Sequence, residues 1–152
     1  MDANDLKGLT IAVIGGGYGG AAAAKALSLT GATVHVYEQA TRIGEVGAGI
    51  GLRPSSMDQF RQWGIFDAIA KVSSPSDFFE ILTATGHPII SEPWPGMDEF
   101  EVLTKTHLIH RGDFIDALIG VLPPEMVHLG HKLSRITDEG GRATVTFDNG
   151  VS

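Results

Sequence analysis

Three glycines, Gly15, Gly17 and Gly20, and one acid, Glu38, have the types and spacing to do chemistry together. The glycines stand at GxGxxG spacing directly after the apolar run Thr10-Ile11-Ala12-Val13-Ile14. Gly15 permits a tight turn, Gly17 lets a pyrophosphate approach the backbone, and Gly20 lets the next helix pack close to the strand. The start of that helix offers free N–H groups and about half a positive charge to phosphates. Glu38 ends a second apolar run, Thr33 to Tyr37, about 20 residues on, where a carboxylate accepts hydrogen bonds from ribose hydroxyls and disfavours a 2′-phosphate. Glycine makes up 20 of the 152 residues, so the bare spacing is weak. The strand before it, the helical pattern after it (Ala24, Leu27, Gly31) and the terminal acid make it specific. Together they predict a site for an adenine dinucleotide of the FAD or NAD kind.

The rest of the chain supplies elements to hold such a site. After Glu38 comes a glycine-dense loop, Gly44 to Leu52, closed by Arg53-Pro54. Ser55 or Ser56 can cap a helix carrying Met57, Phe60, Trp63 and Ile69, which Gly64 divides. Phe78 to Thr83 and Ile89-Ile90 flank Gly86-His87-Pro88 as a hairpin, and Pro93 to Gly96 reads as a loop. His110-Arg111-Gly112-Asp113 leads into a helix with Phe114, Ile115, Leu118, Ile119 and Leu122 on its buried side, stopped by Pro123-Pro124. Val127 to Leu129 is a short strand, and Leu133–Thr137 with Ala143–Phe147 form a hairpin around Gly140-Gly141. Asp148-Asn149-Gly150 is a further turn with no strand after it to pair.

A doubly wound sheet has strand order 3-2-1-4-5-6, with the first strand central. This chain offers candidates for the first three strands only, so Ile11 to Ile14 would lie on an open edge, a position apolar strands normally avoid. The expectation is therefore an N-terminal part of a larger protein. Its fold class is α/β, a Rossmann-like parallel sheet of the glutathione-reductase type with an inserted hairpin or meander, incomplete at the C-terminus. Residues 1–75 read as the dinucleotide-binding segment, 76–106 as the start of an excursion into a substrate domain, and 107–152 as the return.

A net charge of −7 without a basic cluster argues against nucleic acid or anionic membrane as a partner. The absence of cysteine excludes disulfides and thiolate metal sites. An acidic, polar N-terminus and short apolar runs fit a cytoplasmic protein. The six histidines do not form a metal-ligand pattern: His107 and His110 should face apart, His128 and His131 have no third ligand nearby in sequence, and His35 reads as a packed or edge-facing residue. Phe78, Phe79, Trp94 and Phe100 read as core in preference to the lining of a substrate cavity.

Three motifs carry a family resemblance over nearly the whole chain. They are the fingerprint from Gly15 to Glu38 with Gln39-Ala40, the run Gly44-Glu45-Val46-Gly47-Ala48-Gly49-Ile50 with Pro54, and His110-Arg111-Gly112-Asp113-Phe114 followed by a strand, a hairpin and Leu133. With them the chain resembles the N-terminal part of the single-component FAD-dependent aromatic-ring monooxygenases, such as the salicylate, 3-hydroxybenzoate and 6-hydroxynicotinate hydroxylases. The resemblance implies tightly bound FAD, NAD(P)H as transient co-substrate, O2, and a small aromatic or N-heteroaromatic acid as substrate. It implies a pyrophosphate turn at Gly15, Gly17, Gly19 and Gly20, and ribose contacts at Glu38 and Gln39. Gly47, Ala48, Gly49 and Gly51 would run beside the ribityl chain and flavin ring, Arg111 would reach back to FAD, and Leu133 would lie on the adenine side. No catalytic residue is assigned, because in that family the catalytic base lies beyond the stretch matched here. One departure is Pro54-Ser55-Ser56, where relatives commonly carry Pro-Asn-Ala or Pro-Asn-Gly. Another FAD-dependent oxidoreductase, or a non-catalytic dinucleotide-binding module that works by association, shares the same fingerprint.

Overall fold

The computed structural model describes residues 6–44, 47–93 and 105–152. Glu45 and Val46 of the second motif, and Trp94 and Phe100, lie outside the described residues. In chain order the elements are β1 (Thr10–Ile14), α1 (Tyr18–Ser28), β2 (Thr33–Tyr37), β3 (Gly49–Leu52), α2 (Pro54–Gln62), α3 (Phe66–Ala70), β4 (Ser73–Ser76), β5 (Phe78–Leu82), β6 (Pro88–Pro93), β7 (Thr106–His110), α4 (Arg111–Gly120), a 3-10 turn (Pro124–Met126), β8 (Val127–His128), β9 (Leu133–Asp138) and β10 (Ala143–Phe147). The chain divides into two compact units, Met1–Glu45 with Ile115–Ser152, and Val46–Phe114.

The first unit is built on a parallel sheet in the order β1-β2-β8. This is the 3-2-1 part of the doubly wound pattern, and it places β1 at the edge. Ile14, at the end of β1, is 41% exposed. Alternation along β2 sends Val34 and Val36 to one face and His35 and Tyr37 to the other. Helix α1 packs on β1 and β2. Its alanine run favours the helix intrinsically and keeps its contact face thin, so that Ala21 and Ala24 are fully buried. A Cβ added to Gly20 would stand 1.9 Å from the Gly15 carbonyl oxygen and 3.5 Å from Val13 Cγ1, so only glycine lets α1 come this close. On the opposite face the β9–β10 hairpin brings buried Phe147 to 4.6 Å from the Tyr37 ring. The turn after Phe147 also forms, and the Asn149 side-chain amide donates to the Gly130 carbonyl at 3.2 Å.

In the second unit β3, β7 and β4 form an antiparallel sheet in the order β3-β7-β4, and β5–β6 is a separate antiparallel hairpin. Met57, Phe60, Ile65 and Ile69 from α2, α3 and the turn between them are buried. Gly64, at φ +70°, divides the two helices as the sequence predicts. Three expectations need correction. The glycine-dense loop ends early, because Gly49–Leu52 is a strand: pairing with β7 outweighs the low intrinsic strand preference of glycine. Helix α2 is not capped by Ser55 or Ser56; Arg53 is the N-cap and Pro54 the first helical residue, where its missing N–H costs nothing. Phe78 and Phe79 are 61% and 39% exposed and so are not core, since among the described residues the ribbon that carries them is a two-stranded sheet paired with no other strand.

Candidate functional site

The glycine turn, the end of β2 and the start of β9 come together at the C-terminal end of the parallel strands, where ligands bind in open α/β sheets. Gly15 takes φ +100°, a conformation that L side chains rarely adopt, and its N–H donates to the Tyr37 carbonyl at 2.8 Å. Gly17 is the N-cap of α1. No side chain caps the helix and its first turn carries no acid, so the helix start itself is left open to an anion. A Cβ on Gly15, Gly17 or Gly19 would meet nothing within 4 Å, leaving open space over the backbone where a pyrophosphate can approach.

Glu38 is fixed before any ligand arrives. One carboxylate oxygen, Oε2, accepts the Gly16 N–H at 2.6 Å, and the other, Oε1, accepts the Ala40 N–H at 2.8 Å. Such charge-assisted bonds hold the carboxylate firmly, and its remaining lone pairs are free to take hydroxyl protons. Two clefts open beside it. The smaller, ≈ 80 Å³, is lined by Gly16, Gly17, Glu38, Ala40, Arg42 and Ile115 among others. The larger, ≈ 270 Å³, is lined by Ile14, Tyr37, Glu38, Gln39, His131 and Leu133 among others. Of the predicted residues, Gly15, Gly17, Glu38, Gln39 and Leu133 thus share one neighbourhood, with Gly19 and Gly20 at the start of the adjoining helix.

The remaining predicted residues belong to the second unit. Arg111 opens α4, and its N–H donates to the Ala48 carbonyl at 3.3 Å. A Cβ on Gly47 would lie 3.2 Å from both Cβ and Cδ of Arg111, so the glycine segment and the arginine are packed against each other. Gly49 and Gly51 sit in β3, paired with His110 and Leu108. His110 Nδ1 accepts the Gly112 N–H at 3.2 Å and so satisfies one donor at the start of α4.

Several side chains escaped the sequence reading. Gly16 occupies an unspecified position of the motif, yet it supplies a donor to Glu38. Arg42, His131 and Lys132 line the clefts without belonging to any motif. Lys132 pairs with Asp148 at 3.2 Å on the surface. His35, read as a packed or edge-facing residue, has its Nδ1 at 3.0 Å from His128 Nε2. Burial, with the neighbouring charges that His35 and His131 acquire on protonation, holds His128 below its usual pKa. His107 is also held below its usual value, first by burial and then by the charge of Arg61, and its Nδ1 is 2.8 Å from Ser73 Oγ. Among the described residues no three His, Asp or Glu side chains converge as metal ligands, and no helix is long and apolar enough to cross a membrane.

Known proteins carry the same framework. The chain is 36% identical to the 6-hydroxynicotinate 3-monooxygenase of Pseudomonas fluorescens over 143 residues, which are 93% of this chain and 37% of that protein. It is 28% identical to the salicylate hydroxylase of Pseudomonas putida, over 97% of this chain and 34% of that protein. The chain therefore spans little more than a third of the length of the relatives it matches. Among solved structures, Klebsiella pneumoniae HpxO complexed with FAD and uric acid superposes with a TM-score of 0.79 at 20% identity, over 99% of this chain and 38% of that one. The 2,6-dihydroxypyridine-3-hydroxylase of Arthrobacter nicotinovorans gives 0.71 at 24%, over 93% of this chain and 34% of that one. The fold is thus that of the FAD-binding hydroxylases, and the model for the family described as "FAD binding domain" matches residues 9–136. An open glycine turn, a pre-anchored acid and a match across most of the sequence agree: this chain belongs to the FAD-binding domain family.

Proposed function

We propose that this chain is the FAD-binding part of a flavoprotein monooxygenase that hydroxylates an aromatic or N-heteroaromatic acid with NAD(P)H and O2. The observation that carries the reading is the anchored Glu38 between two clefts at the open glycine turn, in a chain whose relatives are named for hydroxylating 6-hydroxynicotinate and salicylate. FAD held here would supply the redox chemistry, with NAD(P)H as the source of electrons and O2 as the source of the ring hydroxyl, its second atom leaving as water. The protein's part is to bind and orient. Gly15 forms the tight turn, Gly17, Gly19 and Gly20 offer backbone N–H groups and a helix start to the pyrophosphate, Glu38 and Gln39 take the ribose hydroxyls, and the Leu133 backbone faces the adenine. Gly47, Ala48, Gly49, Gly51 and Arg111 are assigned to the flavin-bearing half of the cofactor by resemblance. Residues 1–75 and 107–152 serve FAD, and 76–106 begin the substrate domain. The reading includes a cytoplasmic protein, consistent with a chain without cysteine.

Titrating FAD with the chain tests this directly. Saturable one-to-one quenching of flavin fluorescence is expected, and it should weaken on Glu38→Ala. This chain alone is expected to be inactive; NADH consumption should rise on adding 6-hydroxynicotinate or salicylate only in the full-length flavoprotein that carries it. No binding at millimolar protein would sink the cofactor assignment. A second reading, a dinucleotide-binding module that acts by association, draws on β1, which pairs only with β2 among the described residues and leaves Ile14 41% exposed. Concentration-dependent self-association without flavin binding would favour it.

A further inference from the structure

Three of the six histidines gather on one face of the parallel sheet, although they come from distant parts of the sequence. His35 and His128 are 93 positions apart and hydrogen-bond through Nδ1 and Nε2 at 3.0 Å. The His128 ring stacks on Tyr37 at 4.8 Å, and His131 stands edge-on to His128 at 5.9 Å. Tyr37 and His131 are themselves walls of the ≈ 270 Å³ cleft that Glu38, Gln39 and Leu133 also line. The backbone ties the histidines to Glu38 a second time. The Glu38 N–H donates to the His128 carbonyl at 2.9 Å, and the His131 N–H donates to the Glu38 carbonyl at 2.8 Å.

We propose that the His35–His128 pair is a proton-controlled positioning element for the adenosine end of the cleft. It holds Tyr37 and the Glu38 backbone in place while at least one of the two rings is neutral and releases them when both are charged. This rests on reading the cleft as part of the FAD site.

The groups that face the pair explain why charge is poorly tolerated. Ala12 of β1 lies beside His35 in register, and Phe147 of β10 covers Tyr37 and His131. The segment after β8 brings His131, whose Nδ1–H donates to the Leu129 carbonyl at 2.7 Å, and Lys132, which is paired with Asp148. The Glu38 carboxylate is engaged by Gly16 and Ala40. Among the described residues, no carboxylate hydrogen-bonds to any of the three imidazoles. A shared N–H···N bond uses one proton, so a doubly protonated pair cannot keep it, and each added charge meets two other imidazoles in a half-buried setting. The sign follows from linkage. A histidine held below its usual pKa in the folded state stabilises that state above pH 6.5, and the contribution is lost as pH falls through the lowered value.

The test is FAD affinity, from flavin fluorescence, at pH 7.5 and 5.5. The unaltered chain should bind severalfold more weakly at pH 5.5, up to about the tenfold per pH unit that one linked proton can give. His128→Gln keeps a hydrogen-bonding side chain that does not titrate, and its affinity should change less than about twofold over the same range. His35→Asn should behave likewise and serves if the first variant does not fold. Equal affinity of the unaltered chain at both pH values, or an undiminished loss in both variants, overturns the proposal and leaves the FAD site standing. If FAD binds at neither pH, the FAD reading falls. The coupling is then judged by hydrogen exchange of the Glu38 amide in the cofactor-free chain. Protection, corrected for intrinsic rate, should drop at pH 5.5 in the unaltered chain and not in His128→Gln; unchanged protection overturns it.

Discussion

On one face of the parallel sheet Val13, Val34 and Val36 lie against the alanine-rich helix α1; on the other His35, Tyr37 and His128 contact one another and Tyr37 lies against Phe147. Both faces use the same strands, yet they close by different physics. The valine face is held by dispersion and the removal of apolar surface from water, and its geometry depends on one steric fact, the absence of a side chain at Gly20. The histidine face is held by ring contacts and an imidazole hydrogen bond, which have preferred directions and respond to protons. The comparison separates two tasks. The valine face sets how near the helix start comes to the glycine turn, while the histidine face forms a wall of the larger cleft and carries the backbone of Glu38.

The strongest way to break the valine face is Gly20→Val. With the Gly15 carbonyl 1.9 Å from the would-be Cβ, α1 has to move away, at a cost of about 3 kcal/mol or more, and FAD binding should be lost with it. Urea unfolding of the variant measures this; an unchanged midpoint would refute the close-packing account. Val36→Ala removes two buried methyl groups and should cost about 2 kcal/mol. That cost should be the same at pH 7.5 and 5.5, because nothing that titrates is touched.

Glu38→Gln separates anchoring from burial. The neutral amide still offers one oxygen but loses charge assistance to Gly16 and Ala40, so FAD binding should weaken by about 1–2 kcal/mol. Isothermal titration gives the number, and an unaffected Kd would show that the acid is dispensable.

A further test sharpens the contrast between the faces through pH alone. His128 and, in the second unit, His107 are both held below their ordinary pKa, chiefly by burial. The unfolded chain therefore takes up more protons than the folded one just below pH 6.5, and stability should be full above that value and fall beneath it. Hydrogen exchange should locate the loss in β2 and β8 of the first unit and in β4 and β7 of the second, and leave α1 unaffected. Uniform loss across all elements would contradict the assignment. The smallest effect is expected from Lys132→Ala. Its partner Asp148 and Lys132 itself are both largely exposed, so the melting curve should shift by no more than about 0.5 kcal/mol.

Much of this was legible in the chain before folding. The strand–turn–helix at Gly15, the ending of β2 on Glu38, the break at Gly64 and the hairpin around Gly140-Gly141 are all local, fixed by stereochemistry and period over a few residues. The strand order β1-β2-β8 followed from connectivity. Less legible were β3, where glycines joined a strand because β7 lay beside them, and Phe78 and Phe79, whose apolar character promised burial they do not have. Hydrophobicity states a preference, but a partner layer decides whether it is met.

By itself, then, the sequence determined the dinucleotide-binding framework, because a positive-φ turn, a helix start and an acid at a strand end are short-range features that chain stereochemistry dictates. Only the tertiary structure decided how the site is braced. Alternation along β2 puts His35 and Tyr37 on one face, but it cannot name what will lie opposite. That His128 and His131 meet them depended on β8 docking in register from 93 residues away, and that Gly16 pins the Glu38 carboxylate depended on β1 pairing with β2. Contacts between distant segments are set by which packed arrangement buries the most surface and satisfies the most polar groups at once, and no local pattern carries that information.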